Sequence, residues 1–279
     1  MDSVVARKML RTLEPYHGLV YFVPEGPQEY GDLGITDRMT GYFGSRAAPM
    51  GAVTADVVIA TFFNFHPKLV RDRVPAVWDI ASPERLLDAR LRVADKSLRR
   101  ILSDAIASDE MRTAASLARR AADACTLEGR PLYAGHASLP WPDEPHLVLW
   151  HAQTLLREFR GDGHIVAMAV EGLDGCEALI THAAQGDVPA AALKGSRRWP
   201  DDGWDAAVER LRSRGWLTSD AEPTFTELGL ERRTWIEQRT DELAMAPWEA
   251  VGEDDCALLR TLVRPWSKTI VESGELVLR

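Results

Sequence analysis

The chain has 279 residues, of which 46% are apolar and 27% charged, and its formal net charge is −9. This composition is typical of a globular protein with a sizeable core, and the length allows two domains. The acidic balance argues against a dedicated nucleic-acid binder, which usually carries a basic face. The sequence has no run of 18 apolar residues, so we expect no membrane-spanning helix. With no apolar signal core at the start and three cysteines without metal-ligand spacing, we expect a reduced, cytoplasmic compartment.

Four segments of the first half repeat their apolar residues every three or four positions, which predicts amphipathic helices. They are residues 4–18, 54–67, 82–102 and about 110–127. Ser82 is a favourable N-cap and Pro83 suits the first helical position, so the third helix has the clearest start. Residues 129–146 are rich in proline and lack a period, which is typical of a connector. We therefore expect domains at 1–130 and 147–279, joined by a connector at 131–146.

The second half is also mainly helical in its pattern. Helices are predicted over 147–159, 176–186, 202–213 and about 254–273, and a short strand near residue 224 leads into a further long helix. The glycine-containing residues 160–163 are expected to end the first of these helices. Residues 164–170 are expected to form a short strand or a buried helical turn.

A three-residue motif occurs twice. The first motif is Gly44-Ser45-Arg46, and the second motif, residues 195–197, repeats it 151 positions later. Pro49 and Pro200 follow at the same offset, and each copy precedes a helix-like segment, a tryptophan and a capped long helix. The common order of these elements predicts an internal duplication, with each motif in a turn.

Residues 206–244 resemble the winged-helix part of MarR-type regulators. The resemblance lies in the turn Arg214-Gly215-Trp216-Leu217 and in the helix start "FTELG" at 225–229. The whole chain is similar to a family of actinobacterial proteins labelled helix-turn-helix. The resemblance implies a recognition helix before the turn and a two-stranded wing after it. Together with the repeated motif, this resemblance predicts a mainly α fold. It would consist of tandem, pseudo-dimeric winged-helix-like units with long amphipathic helices and little strand.

The chemistry of the expected recognition helices does not favour DNA. The second one carries Asp201, Asp202, Asp205 and Glu209 in its first turns, where base edges would be met. The first one, within 54–67, is almost wholly apolar and is expected to be buried. We therefore expect a small-molecule-binding protein on a degenerate winged-helix scaffold, and hold a MarR-type DNA-binding regulator as the alternative. The binder would be an enzyme, or a resistance or sequestration protein of specialised metabolism.

The expected ligand site surrounds the first motif, where polar side chains stand among aromatic ones. The candidate ligand-binding residues are Tyr42, Arg46, Asn64, His66 and Trp78. Arg46 is suited to an anionic ligand because its fork pairs with a carboxylate or phosphate. In the free protein Asp56, Glu25 or water would pair with it. Asp56 and His66 are weak catalytic candidates, whose simpler roles are a helix start and a helix end.

Three further expectations complete the sequence analysis. No metal or cofactor motif is present, and a second copy or a small protein is a further candidate partner. The largest cavity should lie in the first half or between the halves, lined by at least two of the five candidate ligand-binding residues. Replacing Arg46 with alanine should abolish ligand binding and leave the fold largely intact.

Overall fold

The computed structural model describes residues 1–186 and 188–276, and within them the chain is almost entirely helical. The α-helices are α1 (Val4–Gly18), α2 (Glu25–Gly31), α3 (Arg38–Ala47), α4 (Ala55–Phe62), α5 (Pro67–Arg71), α6 (Val74–Ile80), α7 (Pro83–Leu102), α8 (Asp109–Ala122), α9 (Pro131–Ala137), α10 (Pro145–Val170), α11 (Gly175–Ala184), α12 (Ala190–Arg197), α13 (Asp201–Ser213), α14 (Glu227–Leu243), α15 (Ala246–Val251) and α16 (Glu253–Glu272). Short 3₁₀ segments follow α1, α3 and α7. In the described ranges the one β-bridge joins Leu217 and Phe225 in antiparallel fashion. The predicted mainly α class is confirmed.

A central bundle forms the largest core. Apolar side chains of α1, α7, α8, α10, α15 and α16 pack together, among them the fully buried Met9, Leu98, Met111, Leu149 and Leu259. The first and last helices of the chain contact each other, so both ends of the sequence contribute to one bundle. Burial of these side chains is the main source of stability. The predicted boundary at 131–146 stays a prediction, and the bundle draws helices from both sides of it.

Two smaller clusters flank the bundle. The first cluster comes from α3 to α6 and buries Phe43, Phe62 and Val70 together with Leu132. The second cluster contains the end of α10, α11 to α14 and the bridge residue Leu217. Each cluster contains one copy of the Gly-Ser-Arg motif. The 26-residue α10 is the element that runs from the central bundle into the second cluster.

Local sequence signals explain where several helices begin. The Ser82 hydroxyl accepts from the backbone N–H of Arg85, with Pro83 at the first position of α7, as predicted. Asp174 and Glu177 form a capping box at the start of α11. The Thr226 hydroxyl caps α14 by accepting from the N–H of Gly229. These caps fix the ends of helices whose apolar faces then enter the clusters.

The prediction that residues 160–163 end a helix is wrong. The helix α10 continues through them to Val170, so residues 164–170 are helical and form no strand. The glycine at 163 serves close packing, because the Arg130 guanidinium lies directly against its Cα. Arg130 is held there by the carbonyls of Phe159 and Leu243. Tertiary packing therefore overrides the local helix-ending signal.

The expected connector contains α9, whose Leu132, Tyr133 and His136 are buried, and its role as a domain boundary stays a prediction. Two other predicted elements are corrected. The helix predicted over 54–67 ends at Phe62, because Phe63 adopts a positive φ of 61°. Both Gly-Ser-Arg motifs lie in the last turn of a helix, α3 or α12, and neither forms a turn between elements. Among the described residues, no helix combines the length and apolar character needed to cross a lipid bilayer.

The two glycines inside α10 provide a matched test of this packing. We expect Gly163→Ala to destabilise the protein by about 1–3 kcal/mol, because a Cβ there collides with the Arg130 guanidinium. Gly161→Ala has room, with its nearest neighbour 3.5 Å away, and should stabilise the helix by up to about 1 kcal/mol. Urea unfolding followed by circular dichroism measures both. Equal effects of the two substitutions would contradict this account.

Candidate functional site

Arg46 of the first motif forms a buried, two-pronged ion pair with Glu158 of α10. Its Nε donates to Glu158 Oε1 at 3.2 Å, and its Nη2 donates to Oε2 at 3.1 Å. The side chains are 10% and 1% exposed. The pair joins α3 of the first cluster to α10 of the central bundle. A planar guanidinium facing a carboxylate in this way is the strongest form of such a contact.

A second arginine, Arg157, also pairs with Glu158. Arg157 Nη1 donates to Glu158 Oε2 at 2.7 Å. Burial acts to raise the pKa of Glu158, but the charges of Arg157 and Arg46 hold it well below its usual value. The remaining face of Arg46 is covered by Tyr42, whose hydroxyl accepts from Nη1 at 3.1 Å, and by the Phe62 ring, 4.3 Å away. Glu158 is therefore a buried carboxylate neutralised by two guanidinium groups.

A third arginine, fully buried, lies near this pair. Arg90 of α7 donates to the Tyr21 hydroxyl at 2.9 Å and to the carbonyl of Ser45, inside the first motif, at 3.4 Å. His136 lies 3.5 Å from the same guanidinium, and burial, together with the charge of Arg90, lowers its pKa well below the usual value. In the described residues no carboxylate lies within 4.0 Å of Arg90. The interior around the first motif thus carries excess positive charge.

The second motif approaches the same aromatic side chains from the other side. Arg197 Cζ lies 4.6 Å above the Phe65 ring, and the Arg197 carbonyl accepts from the N–H of His66 at 3.0 Å. Phe65 is 5.6 Å from the Tyr42 ring and 6.4 Å from Phe62, between centroids. The aromatic cluster of Tyr42, Phe62 and Phe65 therefore separates the arginines of the two motifs.

A small polar-lined cavity lies on the other side of Arg157, between α1, α10 and the α14–α15 region. It is lined by Ala6, Leu10, Leu13, Glu14, His17, Gln153, Leu156, Arg157, Arg160, Ala244 and Trp248. Its volume of about 20 Å³ is the space of about one water molecule. Leu10, Glu14, Arg157 and Arg160 are half-buried and form its rim, whereas the other lining residues are buried. We call this space the polar cavity.

Four of the residues that line the polar cavity each have a buried polar atom without a hydrogen-bond partner. These atoms are Glu14 Oε2, His17 Nε2, Gln153 Nε2 and Arg160 Nε. The Thr154 hydroxyl donates to the Trp150 carbonyl, so it accepts from His17 Nδ1, 3.0 Å away. His17 Nε2 is then a bare acceptor, and burial lowers the pKa of this imidazole well below its usual value. The cavity thus presents donors and acceptors together.

The surface of α13 is acidic. Asp201, Asp202, Asp205 and Glu209 are all exposed on it. The neighbouring arginines are used within the protein. Arg210 pairs with Glu177 at 2.9 Å, Arg212 donates to the Thr218 carbonyl at 3.0 Å, and Arg214 donates to the Glu171 carbonyl at 2.5 Å. An open groove beside α13 is lined by Gly172, Asp174, Glu177, Glu209, Arg210, Ser213 and Arg214.

The sequence-predicted residues fall into three places. Tyr42 and Arg46 contact each other in the interior. Asn64 and His66 contact the second cluster, where Trp199 Nε1 donates to the Asn64 carbonyl at 2.9 Å and the Trp199 ring lies 5.0 Å from that of His66. Trp78 is elsewhere in the first cluster, donating to the Val53 carbonyl at 2.9 Å.

The two weak catalytic candidates, Asp56 and His66, make separate contacts. Asp56 is exposed and pairs with Arg71 at 3.0 Å, whereas His66 packs on Trp199. Asp56 thus stands in the first turn of α4, the simpler role considered from the sequence. Among the residues that the structure describes, no group of three His, Cys, Asp or Glu side chains could hold a metal ion.

The expected partners of Arg46 are wrong, whereas the ligand-binding role of the five candidate residues stays a prediction. The partner of Arg46 is Glu158, whereas Asp56 pairs with Arg71 and Glu25 pairs with Arg100. None of Tyr42, Arg46, Asn64, His66 and Trp78 lines the polar cavity or the groove beside α13. Sequence reasoning missed Gln153, Arg157 and Glu158. Their signal was the presence of polar side chains on a helix that is otherwise strongly apolar.

The Arg46–Glu158 pair should be required for stability. We expect Arg46→Ala to lower the free energy of unfolding by about 3–5 kcal/mol, because it leaves a buried carboxylate with half of its partners. The double variant Arg46→Met with Glu158→Leu should recover most of the loss, since it removes both charges. As a control, Arg71→Ala breaks the exposed pair with Asp56 and should cost less than about 1 kcal/mol. Urea unfolding measures all three, and a near-neutral Arg46→Ala would contradict the assignment.

Comparisons with known proteins identify a family. No curated protein and no solved structure matches the chain. The model of a helix-turn-helix family matches residues 6–277, nearly the whole sequence. The matched region includes the central bundle, both flanking clusters and both motifs. The chain therefore belongs to this helix-turn-helix family.

Proposed function

We propose that the protein binds a small molecule in the polar cavity, on a helix-turn-helix scaffold. The proposal rests on one observation: four residues that line the polar cavity each have an unpartnered buried polar atom. A buried polar atom without a partner costs about 1–3 kcal/mol, so four together make a strongly favourable place for a polar group. Water fills such a space in the free protein, and a ligand group that matches its hydrogen bonds displaces it.

The rim explains how a molecule larger than water enters. The Glu14 and Arg157 side chains are 43% and 31% exposed and are 3.8 Å apart, in a weak contact. Glu14 is long and is held only by this weak contact, so it can turn toward solvent and open the cavity between α1 and α10 while Arg157 keeps its bond to Glu158. The apolar walls, from Leu10, Leu13, Leu156 and Trp248, then receive the apolar part of the ligand.

The polar atoms define the chemistry of the ligand. Gln153 Nε2 and Arg160 Nε are donors, and His17 Nε2 is an acceptor. Burial raises the pKa of Glu14, against the opposing charge of Arg157, and its unpartnered Oε2 is a further polar atom for the ligand. A molecule with an apolar body and a hydroxyl, amide or carboxyl group would match this set. A sequestration or resistance role in specialised metabolism would use such a site.

The tandem winged-helix interpretation belongs to the same proposal. In the second cluster, α11, α12 and α13 are followed by the Leu217–Phe225 bridge, which stands where a wing would be. In the first cluster, α3 and α4 have the positions of α12 and α13 relative to the motif. The short helices α5 and α6 occupy the place of the bridge. The capped helices α7 and α14 then follow.

Blocking the rim tests the binding proposal. Protein purified from its own host should carry a bound molecule that native mass spectrometry detects as added mass. Leu10→Trp should abolish this mass, because the larger side chain fills the entrance. The matched control Leu230→Trp places the same change at an exposed position of α14 and should retain it. Retention of the ligand by Leu10→Trp, or its absence from the natural protein, would refute the proposal.

The family and the α11–α13 arrangement favour a second candidate function, a DNA-binding regulator of MarR type. The negative charge on the surface of α13 argues against this second function. Four exposed carboxylates would face the phosphates, and Arg210, Arg212 and Arg214 are already paired within the protein. Binding to a duplex depends on basic side chains that are free to neutralise phosphates.

A footprinting assay distinguishes the two functions. We expect no sequence-specific protection of the protein's own promoter at nanomolar concentrations, with any affinity for DNA in the non-specific range of roughly micromolar or weaker. The control is the double variant Arg197→Ala with Arg198→Ala. A nanomolar footprint that this variant loses would establish the regulator and overturn the preference for the small-molecule binder.

A further inference from the structure

We propose that Arg197, together with the Tyr42 hydroxyl, binds a small oxyanion, the carboxylate or phosphate group of a small molecule. This site lies where the second motif meets the aromatic cluster and is separate from the polar cavity. A negative result at one site therefore leaves the proposal for the other site unaffected. The sequence had favoured the first motif as the ligand site, whereas this inference places the anion at the arginine of the second motif and keeps Tyr42.

The first observation is an imbalance of charge. Arg46 and Arg157 share the single carboxylate of Glu158, and Arg157 also lies 3.8 Å from Glu14. Within residues 1–186 and 188–276, no carboxylate lies within 4.0 Å of Arg197. Burial lowers the pKa of Arg197, Tyr42 acts to raise it, and the charges of Arg46 and Arg157 act to lower it. A bound anion would relieve this repulsion.

The second observation is that the donors of this region remain free. Arg197 Nε is buried without a partner, and Nη1 donates only to the hydroxyl of the adjacent Ser196, at 3.2 Å. Tyr42 accepts from Arg46, and the described residues offer no acceptor for its own proton. The Phe65 ring is 4.6 Å from Arg197 Cζ and 5.6 Å from the Tyr42 ring. The Arg197 guanidinium and the Tyr42 ring thus contact the same aromatic ring.

Other contacts already attach α12 to the loop after α4, so the Arg197 side chain is not needed for that structural role. The backbone carbonyl of Arg197 accepts from the N–H of His66, and Trp199 donates to the carbonyl of Asn64. These bonds join α12 to the loop after α4 without the guanidinium. In contrast, Arg46 is fully used by Glu158 and Tyr42. Of the two motif arginines, Arg197 is the one with donors to offer.

The surroundings favour a small anion over a nucleic-acid phosphate. The exposed Asp201 and Asp202 follow closely in the chain, at the start of α13. Lys194, the nearest lysine in the chain, is already paired with Asp201. A long polyanion lying over Arg197 would meet these carboxylates, whereas a single carboxylate or phosphate group need not.

Arginine side-chain NMR tests the proposal directly. In protein labelled with ¹⁵N-arginine, the Arg197 Nε–Hε signal is assigned from its loss in Arg197→Lys. Titration with inorganic phosphate, and separately with acetate, should shift this signal with saturation at millimolar concentration. Sodium chloride at equal ionic strength should not. Tyr42→Phe should weaken the binding roughly three- to tenfold through loss of one hydrogen bond.

The matched control is Arg198→Asn. Arg198 is exposed, has a φ of 59° that asparagine tolerates, and lies beside Arg197. This variant should titrate like the natural protein. A signal that moves only as in sodium chloride would overturn the proposal, as would equal weakening by Arg198→Asn and Tyr42→Phe. Saturation by a DNA duplex, with no response to phosphate or acetate, would overturn it in favour of nucleic acid.

Discussion

The buried charge of Glu158 is the constraint on which the interior of the molecule depends. A carboxylate that is 1% exposed is stable there only if cations are brought to it, and Arg46 and Arg157 supply them. Arg157 is its neighbour on α10, but Arg46 comes from α3, 112 residues earlier in the chain. Satisfying Glu158 therefore holds the first cluster against the central bundle in one orientation. The excess positive charge of Arg90 and Arg197 is a consequence of concentrating arginines at this place.

The sequence predicted the helical class and most helix starts, because caps and apolar periodicity are local signals. Ser82 and Thr226 illustrate this, since each begins a long helix as expected. The course of α10 was not predictable in this way. Residues 160–163 resemble a helix end, and only the packing of Arg130 against Gly163, from 33 positions away, explains why the helix continues. Such contacts leave no periodic trace in the sequence.

The candidate site was predictable in part for the same reason. Tyr42 and Arg46 were selected because an arginine among aromatic residues needs a partner, and the structure gives it one. The partner itself was missed, because Glu158 is distant in sequence and a carboxylate on an apolar helix has many explanations. The motif that occurs twice was informative about position, and its role in ligand binding stays a prediction. Both copies end a helix near one aromatic cluster, yet only the first contains an arginine committed to a carboxylate.

The length of α10 has a mechanical consequence. Its polar residues at 153 and 157 border the cavity, while its last turns belong to the second cluster. From Arg157 to Val170 a helix extends roughly 20 Å, so a tilt of about 5° at the cavity displaces its far end by about 1.7 Å. A rigid rod of this kind acts as a lever. A change that tilted α10 at the cavity would therefore also displace α11 to α13.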